Sequence, residues 1–169
     1  MDKPRLYWDT SIFLCFLNSE EEVRRAICED VLHHASMDEL LIVTSTYTIV
    51  EVIRPKNRSI PGARPLTTKE ADKIKGMFRW PFIRTIELDE RTGLYASDLA
   101  REHSLAPADS VHAASAILWK AQALYAWDRD YSRISNLIAV EEPQFLSKQR
   151  EFEGMKRAPL GPSPEDFEG

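Results

Sequence analysis

The chain has 169 residues, 43% hydrophobic and 29% charged, which predicts one soluble globular domain with a real core. This composition excludes a mostly disordered chain, a collagen-like repeat and a small disulfide-stapled protein. No apolar run approaches the ~20 residues of a membrane span, and no signal-peptide pattern is found, so a cytoplasmic protein without a membrane partner is predicted. Cys15 and Cys28 lie in apolar helical patterns, and we interpret them as small buried hydrophobic residues.

The formal net charge of −5 is unevenly distributed along the chain. Residues 54–84 contain nine Lys or Arg against only Glu70 and Asp72, a local charge of +7, so the remainder carries −12. Phosphate binding depends on where positive charge lies and not on the total. The segment is therefore a candidate nucleic-acid contact, and the alternative is a solvated helix face followed by a charged loop.

Short apolar runs alternate along the chain with segments in which apolar residues recur at helical spacing. A run such as 40–43 is too short for a helix and is typical of a buried parallel strand. Ser45 and Asp89 are suitable N-caps, and Thr67 and Glu70 form a capping-box pattern. The predicted strands are 6–8, 40–43, 82–88, 124–127 and 137–140; the predicted helices are 10–17, 20–36, one from Ser45 to Pro55, and three that open at Thr67, Asp89 and Pro107.

Two of the later helices have definable inner faces. Leu94, Tyr95 and Leu99 share one stripe of the first, and Val111, Ala114, Ile117 and Leu118 follow the inner face of the second. The alternation of strands and helices predicts an α/β sandwich around a mostly parallel sheet.

The predicted domain covers residues 1–140. Periodicity is lost from Glu141 onwards, and residues 158–169 contain three prolines and two glycines. We therefore predict an extended, mobile C-terminal tail over 141–169.

Four acidic residues stand where a strand ends or where apolar residues surround them. Asp9 ends the first predicted strand and Asp128 the fourth, and the carboxyl ends of parallel strands meet at one edge of a sheet. Glu51 and Asp109 lie on otherwise apolar helical segments. Clustered carboxylates suit hard divalent ions such as Mg²⁺ or Mn²⁺, which also contact substrate phosphates, so phosphodiester hydrolysis is a candidate chemistry.

Each acid also has a purely structural interpretation. Asp9 is placed to cap the helix after it, Asp128 to cap the turn after it, and Asp109 to interact with a helix dipole. Glu51 fits such an explanation least, because it lies in the middle of a largely apolar helix. His112, three residues after Asp109, could touch the site, but we interpret it as a packed or surface histidine.

Four motifs in the same order resemble those of the PIN-domain nucleases, and together they span residues 5–140. The run 7–14 is similar to that family's opening, in which a strand delivers Asp-Thr-Ser. Val50-Glu51-Val52 resembles the motif of its second acid, 109–116 its Asp at the start of an Ala-rich helix, and 127–131 its Asp-x-Asp-aromatic turn.

This resemblance implies a PIN-like three-layer sandwich and a metal-dependent endoribonuclease. It makes Asp9, Glu51 and Asp109 the core metal ligands of an Mg²⁺ or Mn²⁺ site, with Asp128 as a fourth catalytic acid. Asp130 and Ser11 would be accessory residues near the metal. It further implies a toxin of a toxin–antitoxin pair, with an antitoxin protein as a possible partner and a homodimer as the assembly.

Some features depart from the family pattern. Ala126 stands where members often carry Thr or Ser, and the lost hydroxyl removes one hydrogen bond behind the metal ligands. The 55–66 loop and the segment after Val140 also lie outside the compact pattern. The alternative function is a non-catalytic RNA- or protein-binding protein with the same fold, and metal-dependent cleavage would distinguish the two.

The basic segment leads to a hypothesis about RNA entry. Carboxylates repel phosphate, so positive charge beside them would help to attract RNA. We therefore expect Arg54, Lys56 and Arg58, which follow the helix of Glu51, to flank the entrance to the acidic site.

Overall fold

The computed structural model describes residues 3–17, 21–53 and 65–147, in which strands and helices alternate as predicted. The strands are β1 (Arg5–Trp8), β2 (Leu41–Ser45), β3 (Ile83–Ile86), β4 (Ala123–Tyr125) and β5 (Ala139–Glu141). The helices are α1 (Thr10–Leu17), α2 (Glu22–Ser36), α3 (Thr46–Ile53), α4 (Thr68–Met77), α5 (Glu90–His103) and α6 (Pro107–Leu118), and a 3-10 helix spans Arg129–Ile134.

The five strands form one sheet in the order β3-β2-β1-β4-β5, and each pairs with its neighbours in parallel. Tyr7 at the centre is in register with Val43 of β2 on one side and Leu124 of β4 on the other. The chain builds outward from β1 to β3 and then returns to the other side of β1. The order therefore reverses between β1 and β4, and ligand sites of open parallel sheets form at such a point, beyond the carboxyl ends of the strands.

Successive side chains of each strand point to opposite faces of the sheet and form two separate cores, one on each face. In β1, Leu6 and Trp8 join a cluster with residues of α1 and α2, whereas Tyr7 joins a cluster with residues of α5 and α6. The same alternation places Ile42 in the first cluster and Val43 in the second. The result is a three-layer sandwich with a mostly parallel central sheet, as predicted.

Local capping signals produced the predicted helix starts. Ser45 Oγ accepts a hydrogen bond from the backbone N–H of Tyr47 at 3.1 Å, and Thr67 and Glu70 form a complete capping box. Asp89 caps α5 by accepting from the backbone N–H of Thr92. The sequence therefore located these ends correctly.

The predicted inner faces of α5 and α6 are only partly correct. Leu94 is 64% exposed, and α5 instead buries Thr92, Ala96 and Leu99. The fully buried residues of α6 include small and polar side chains, Ser110, His112, Ala113, Ala114, Ser115 and Ala116, because the helix lies close against the sheet. Small residues permit that close approach, and apolarity alone did not indicate which face would be buried.

The predicted tail begins with residues that pack on the domain. Leu146 contacts the core cluster of α1 and α2, and Asp30 of α2 accepts hydrogen bonds from the backbone N–H of Leu146 at 2.7 Å and from Ser147 Oγ at 2.6 Å. Residues 148–169 of the predicted tail and most of the 55–66 loop lie outside the described residues. Within the described ranges, no helix is both long enough and apolar enough to cross a membrane.

Candidate active site

Three carboxylates converge at the carboxyl edge of the sheet beside the end of β4. One oxygen from each of Asp109, Asp128 and Asp130 lies within 4.8 Å of the others. Asp109 belongs to the first turn of α6, Asp128 caps the 3-10 helix, and Asp130 lies within it. The structure brings Asp109 and Asp128 together, as expected from the sequence, and it places Asp130 with them.

Asp9 is held beside this group by its own helix cap and by a tyrosine. Its Oδ1 accepts hydrogen bonds from the backbone N–H of Ser11 at 2.8 Å and from Ser11 Oγ at 2.5 Å. Its Oδ2 accepts from Tyr131 Oη at 3.3 Å, and the same hydroxyl lies 3.4 Å from Asp109 Oδ1. The buried Tyr131 hydroxyl therefore joins the carboxylates of β1 and α6.

Ser11 also connects the two strand ends at which the acids stand. Its Oγ accepts a hydrogen bond from the backbone N–H of Trp127 at 3.3 Å, and it donates to Asp9. One hydroxyl thus links the end of β4, just before Asp128, to the end of β1. This contact supports the accessory role that the sequence assigned to Ser11.

Glu51 lies in a different set of contacts. Its Oε2 accepts hydrogen bonds from Thr10 Oγ1 and, at 2.8 Å, from His112 Nε2. Among the described residues, the group of three mutually close acids does not include Glu51. Thr10 directly follows Asp9, and His112 is one helical turn from Asp109, so Glu51 is tied to the neighbours of both acids.

Burial and like charge raise the proton affinity of these acids. Burial is the main cause of the raised pKa of Asp9, and the hydrogen bonds from Ser11 partly oppose it. Burial also raises the pKa of Asp109, and the negative charges of Asp128 and Asp9 raise it further. The pKa of Tyr131 lies well above its ordinary value, because the hydroxyl is buried and faces Asp9 and Asp109. The group therefore favours the approach of positive charge.

The donor set of this group fits a hard divalent cation. All three converging ligands are carboxylate oxygens, the atoms that Mg²⁺ and Mn²⁺ prefer, and no thiolate or imidazole is among them. Asp128 and Asp130 are exposed, which leaves room for the water ligands that Mg²⁺ retains. The guanidinium of Arg133 pairs with Asp130 at 3.1 Å, so one acid of this group already contacts a cation.

Three contributors to this site were not identified from the sequence. His112 was interpreted as a packed or surface histidine, and it is buried but bonded to Glu51. Tyr131 was noted only as part of a motif, and Thr10 was not singled out. The spacing of His112 one turn after Asp109 was the available signal. Arg54, Lys56 and Arg58 lie outside the described residues, so their place at the entrance stays a prediction.

Comparisons with known proteins agree with this architecture. The family model described as PIN domain matches residues 6–137. No protein with a curated description matches the chain.

Several solved structures share the fold at low sequence identity. The sarcin-ricin-loop-cleaving toxin VapC20 from Mycobacterium tuberculosis is 17% identical, with a TM-score of 0.58 over 75% of this chain and 92% of its own. VapBC2 from Rickettsia felis, bound to a DNA fragment from its promoter, is 17% identical with a TM-score of 0.59 over 83% and 99%. FitAcB from Neisseria gonorrhoeae is 19% identical with a TM-score of 0.54 over 82% and 97%.

Proposed function

Because the chain belongs to the PIN domain family, we propose that it is a metal-dependent endoribonuclease that cleaves RNA phosphodiester bonds. The observation that carries this proposal is the convergence of Asp109, Asp128 and Asp130 at the carboxyl edge of the sheet, with Asp9 joined to Asp109 through Tyr131. A phosphodiester is negatively charged, so such a group of acids alone would repel it. The arrangement is therefore suited to a substrate that approaches together with a cation.

The proposed metal ligands are Asp9, Glu51, Asp109 and Asp128, with Asp130 as an accessory acid. A bound Mg²⁺ or Mn²⁺ would activate water and stabilise the charge that develops on the scissile phosphate. Ser11 orients Asp9 through two hydrogen bonds, and Tyr131 sets the approach of Asp9 to Asp109. These contacts hold the acids in position before substrate arrives, which lowers the cost of assembling the site.

We assign the nuclease to the toxin role in a toxin–antitoxin pair. The support is the likeness to a toxin described as cleaving the sarcin-ricin loop and to a complex from Klebsiella pneumoniae described as toxin–antitoxin. In this role the partner would be a protein antitoxin that blocks access to the acidic site, and the toxin would act as a homodimer in the cytoplasm.

The test is cleavage of RNA by the purified chain in Mn²⁺, in Mg²⁺ and in EDTA. Cleavage is expected with either metal and is expected to stop in EDTA. Asp9→Asn, Glu51→Gln and Asp128→Asn should each abolish it while far-UV circular dichroism stays unchanged. Asp98→Asn is a matched control, because Asp98 pairs with Arg101 at 3.5 Å on the exposed face of α5. RNA binding without cleavage under every condition would favour the non-catalytic alternative.

A further inference from the structure

Glu51 is held by a chain of buried hydrogen bonds that begins on the sheet. The backbone N–H of Ser45 donates to Tyr7 Oη at 3.1 Å, and Tyr7 Oη lies 2.9 Å from His112 Nδ1. His112 Nε2 then lies 2.8 Å from Glu51 Oε2. Tyr7 and His112 are 0% and 1% exposed, so water does not compete for the bond between them. The chain therefore runs without interruption from the end of β2 to the carboxylate on α3.

The direction of these hydrogen bonds follows from the carboxylate at their end. The ionised Glu51 carboxylate can only accept, so His112 donates to it from Nε2, and in the neutral imidazole this leaves Nδ1 as the acceptor. Tyr7 Oη, which accepts the Ser45 N–H, then donates its own proton to His112 Nδ1. With Nδ1 as acceptor, the imidazole carries its hydrogen on Nε2 and presents it to Glu51.

We propose that His112 is a positioning residue that fixes the Glu51 carboxylate for the metal site, an inference that rests on the proposed nuclease function. His112 Nε2 and Thr10 Oγ1 converge on the same oxygen, Oε2, and so determine the direction in which Oε1 points. Thr10 is the residue after Asp9, and His112 Nε2 also lies 3.1 Å from Thr10 Oγ1. These contacts connect Glu51 on α3 to Thr10, which directly follows Asp9, and to His112, which lies one helical turn after Asp109.

These contacts connect Glu51 to residues far away in the sequence. Glu51 is 41 residues from Thr10 and 61 residues from His112, so both contacts exist only in the folded chain. Its side chain lies on a helix otherwise rich in apolar residues, with 19% of its surface exposed. A carboxylate at such a place would adopt several rotamers without its donors, and each rotamer other than the productive one would weaken cation binding.

The experiment compares two substitutions at the same position. His112→Leu removes the donor at similar volume, and His112→Gln keeps an N–H where Nε2 stood. His112→Leu should lower the affinity for Mn²⁺, measured by isothermal titration calorimetry, about 10- to 100-fold, the usual effect of losing a partner of a metal ligand. The kcat for RNA cleavage should fall with it while KM stays unchanged, and His112→Gln should recover most of both.

The matched control is His34→Leu, at a buried histidine on α2 that bonds to Glu39 and Ser147. It is expected to lower stability without changing the affinity of the folded protein for Mn²⁺. If His112→Leu behaves in the same way, His112 only supports the fold and the proposal is overturned. Should His112→Leu not fold, Tyr7→Phe carries the test, because it removes the donor to Nδ1 and should also weaken Mn²⁺ binding.

Nuclear magnetic resonance of the unmodified protein provides a readout independent of activity. In ¹⁵N-labelled protein, His112 is expected to carry its proton on Nε2, with Nδ1 as an acceptor, and a proton on Nδ1 alone would overturn the assignment. A wild-type protein that neither binds Mn²⁺ nor cleaves RNA would overturn the proposed function and this inference together. Wild-type activity that survives intact in His112→Leu would overturn the inference alone.

Discussion

Replacing Asp109 by Asn should abolish cleavage and at the same time stabilise the metal-free protein. Two unit charges 4.8 Å apart repel by about 0.9 kcal/mol in bulk water and by about 3.5 kcal/mol at an effective dielectric of 20. Because Asp128 and Asp130 are exposed, the lower figure is the better guide for each pair. Asp109 faces both of them, so its removal relieves roughly 2 kcal/mol of repulsion.

Two favourable contacts of Asp109 offset part of this gain. Its charge lies in the first turn of α6, where the helix dipole stabilises an anion by about 0.3–1 kcal/mol. Its Oδ1 also lies 3.4 Å from Tyr131 Oη, a long contact that an amide oxygen can still accept. The net expectation for Asp109→Asn is a gain of about 1 kcal/mol, or roughly 2–4 °C in Tm for a chain of this size.

The assay is thermal unfolding of wild type and variant in EDTA and in Mn²⁺. In EDTA the variant should be the more stable protein. In Mn²⁺ the order should reverse, because wild type gains about 2.7 kcal/mol at a metal concentration 100 times its Kd and the variant binds less. Asp98→Asn on the exposed face of α5 should respond to metal as wild type does.

The sign of the pH dependence adds a second check on Asp109→Asn. The pKa of Asp109 is raised in the folded protein, so ionisation of this carboxyl destabilises the fold. The full destabilisation is present at a pH above the folded-state pKa, and none of it is present below the pKa of the unfolded state. The stability difference in EDTA should therefore vanish at a pH below about 3.9, the ordinary value for Asp. A variant that is less stable than wild type in EDTA at neutral pH, or one that gains equally from Mn²⁺, would refute the reasoning.

Three further predictions concern Tyr131, Asp30 and the basic segment. Tyr131→Phe removes the hydroxyl between Asp9 and Asp109 and should destabilise the metal-free protein by about 1 kcal/mol. The expected effect is small because the two contacts of the hydroxyl are long, at 3.3 and 3.4 Å. An unchanged urea midpoint in EDTA would contradict this prediction. Burial alone would raise the pKa of Asp30, but hydrogen bonds from Ser147 and Leu146 lower it overall. The ionised Asp30 carboxylate therefore stabilises the folded protein above the pKa of the unfolded state, and this stabilisation is lost as the pH falls through the pKa of the folded state. Asp30→Asn should therefore lower the free energy of unfolding by about 1–3 kcal/mol at neutral pH. It should have no effect at a pH low enough to protonate Asp30 in both the folded and the unfolded protein. Urea unfolding at neutral and at low pH measures this difference. Replacing Arg54, Lys56 and Arg58 together by Ala should weaken RNA binding and reduce its salt dependence by up to about three phosphate contacts, and an unchanged slope would mean that RNA enters elsewhere.

The elements of the fold were predictable because their signals are local. Apolar runs gave all five strands, and capping residues such as Ser45, Thr67 and Asp89 gave helix starts that the structure reproduces. The inner face of α5 was misjudged because the periodicity of apolar residues included Leu94, which the neighbouring elements leave exposed. The buried face of a helix depends on the elements that pack against it, and the sequence of the helix alone does not identify those elements.

The convergence of Asp109 and Asp128 was predictable from the sequence, whereas the hydrogen bonds of the individual acids were not. Asp9 and Asp128 end adjacent parallel strands, so the topology alone brings them to one place. The contact of Glu51 with His112 spans 61 residues and depends on how closely α6 packs against the sheet. Such a contact has no periodicity, and for this reason the interpretation of His112 as merely packed or exposed missed its bond to the acid.

Asp9 and Asp128 each combine a helix cap with a place in the proposed metal site. Asp9 accepts the N–H of Ser11 with Oδ1 and faces Tyr131 with Oδ2, and Asp128 accepts the N–H of Asp130 with one oxygen. A cap restricts the rotamer of the acid, so the other oxygen is already directed before a cation arrives. Glu51 lies within α3 and not at a helix cap, and the side chains of Thr10 and His112 contact its Oε2. The buried histidine therefore restrains the Glu51 carboxylate in the way that backbone amides restrain Asp9 and Asp128.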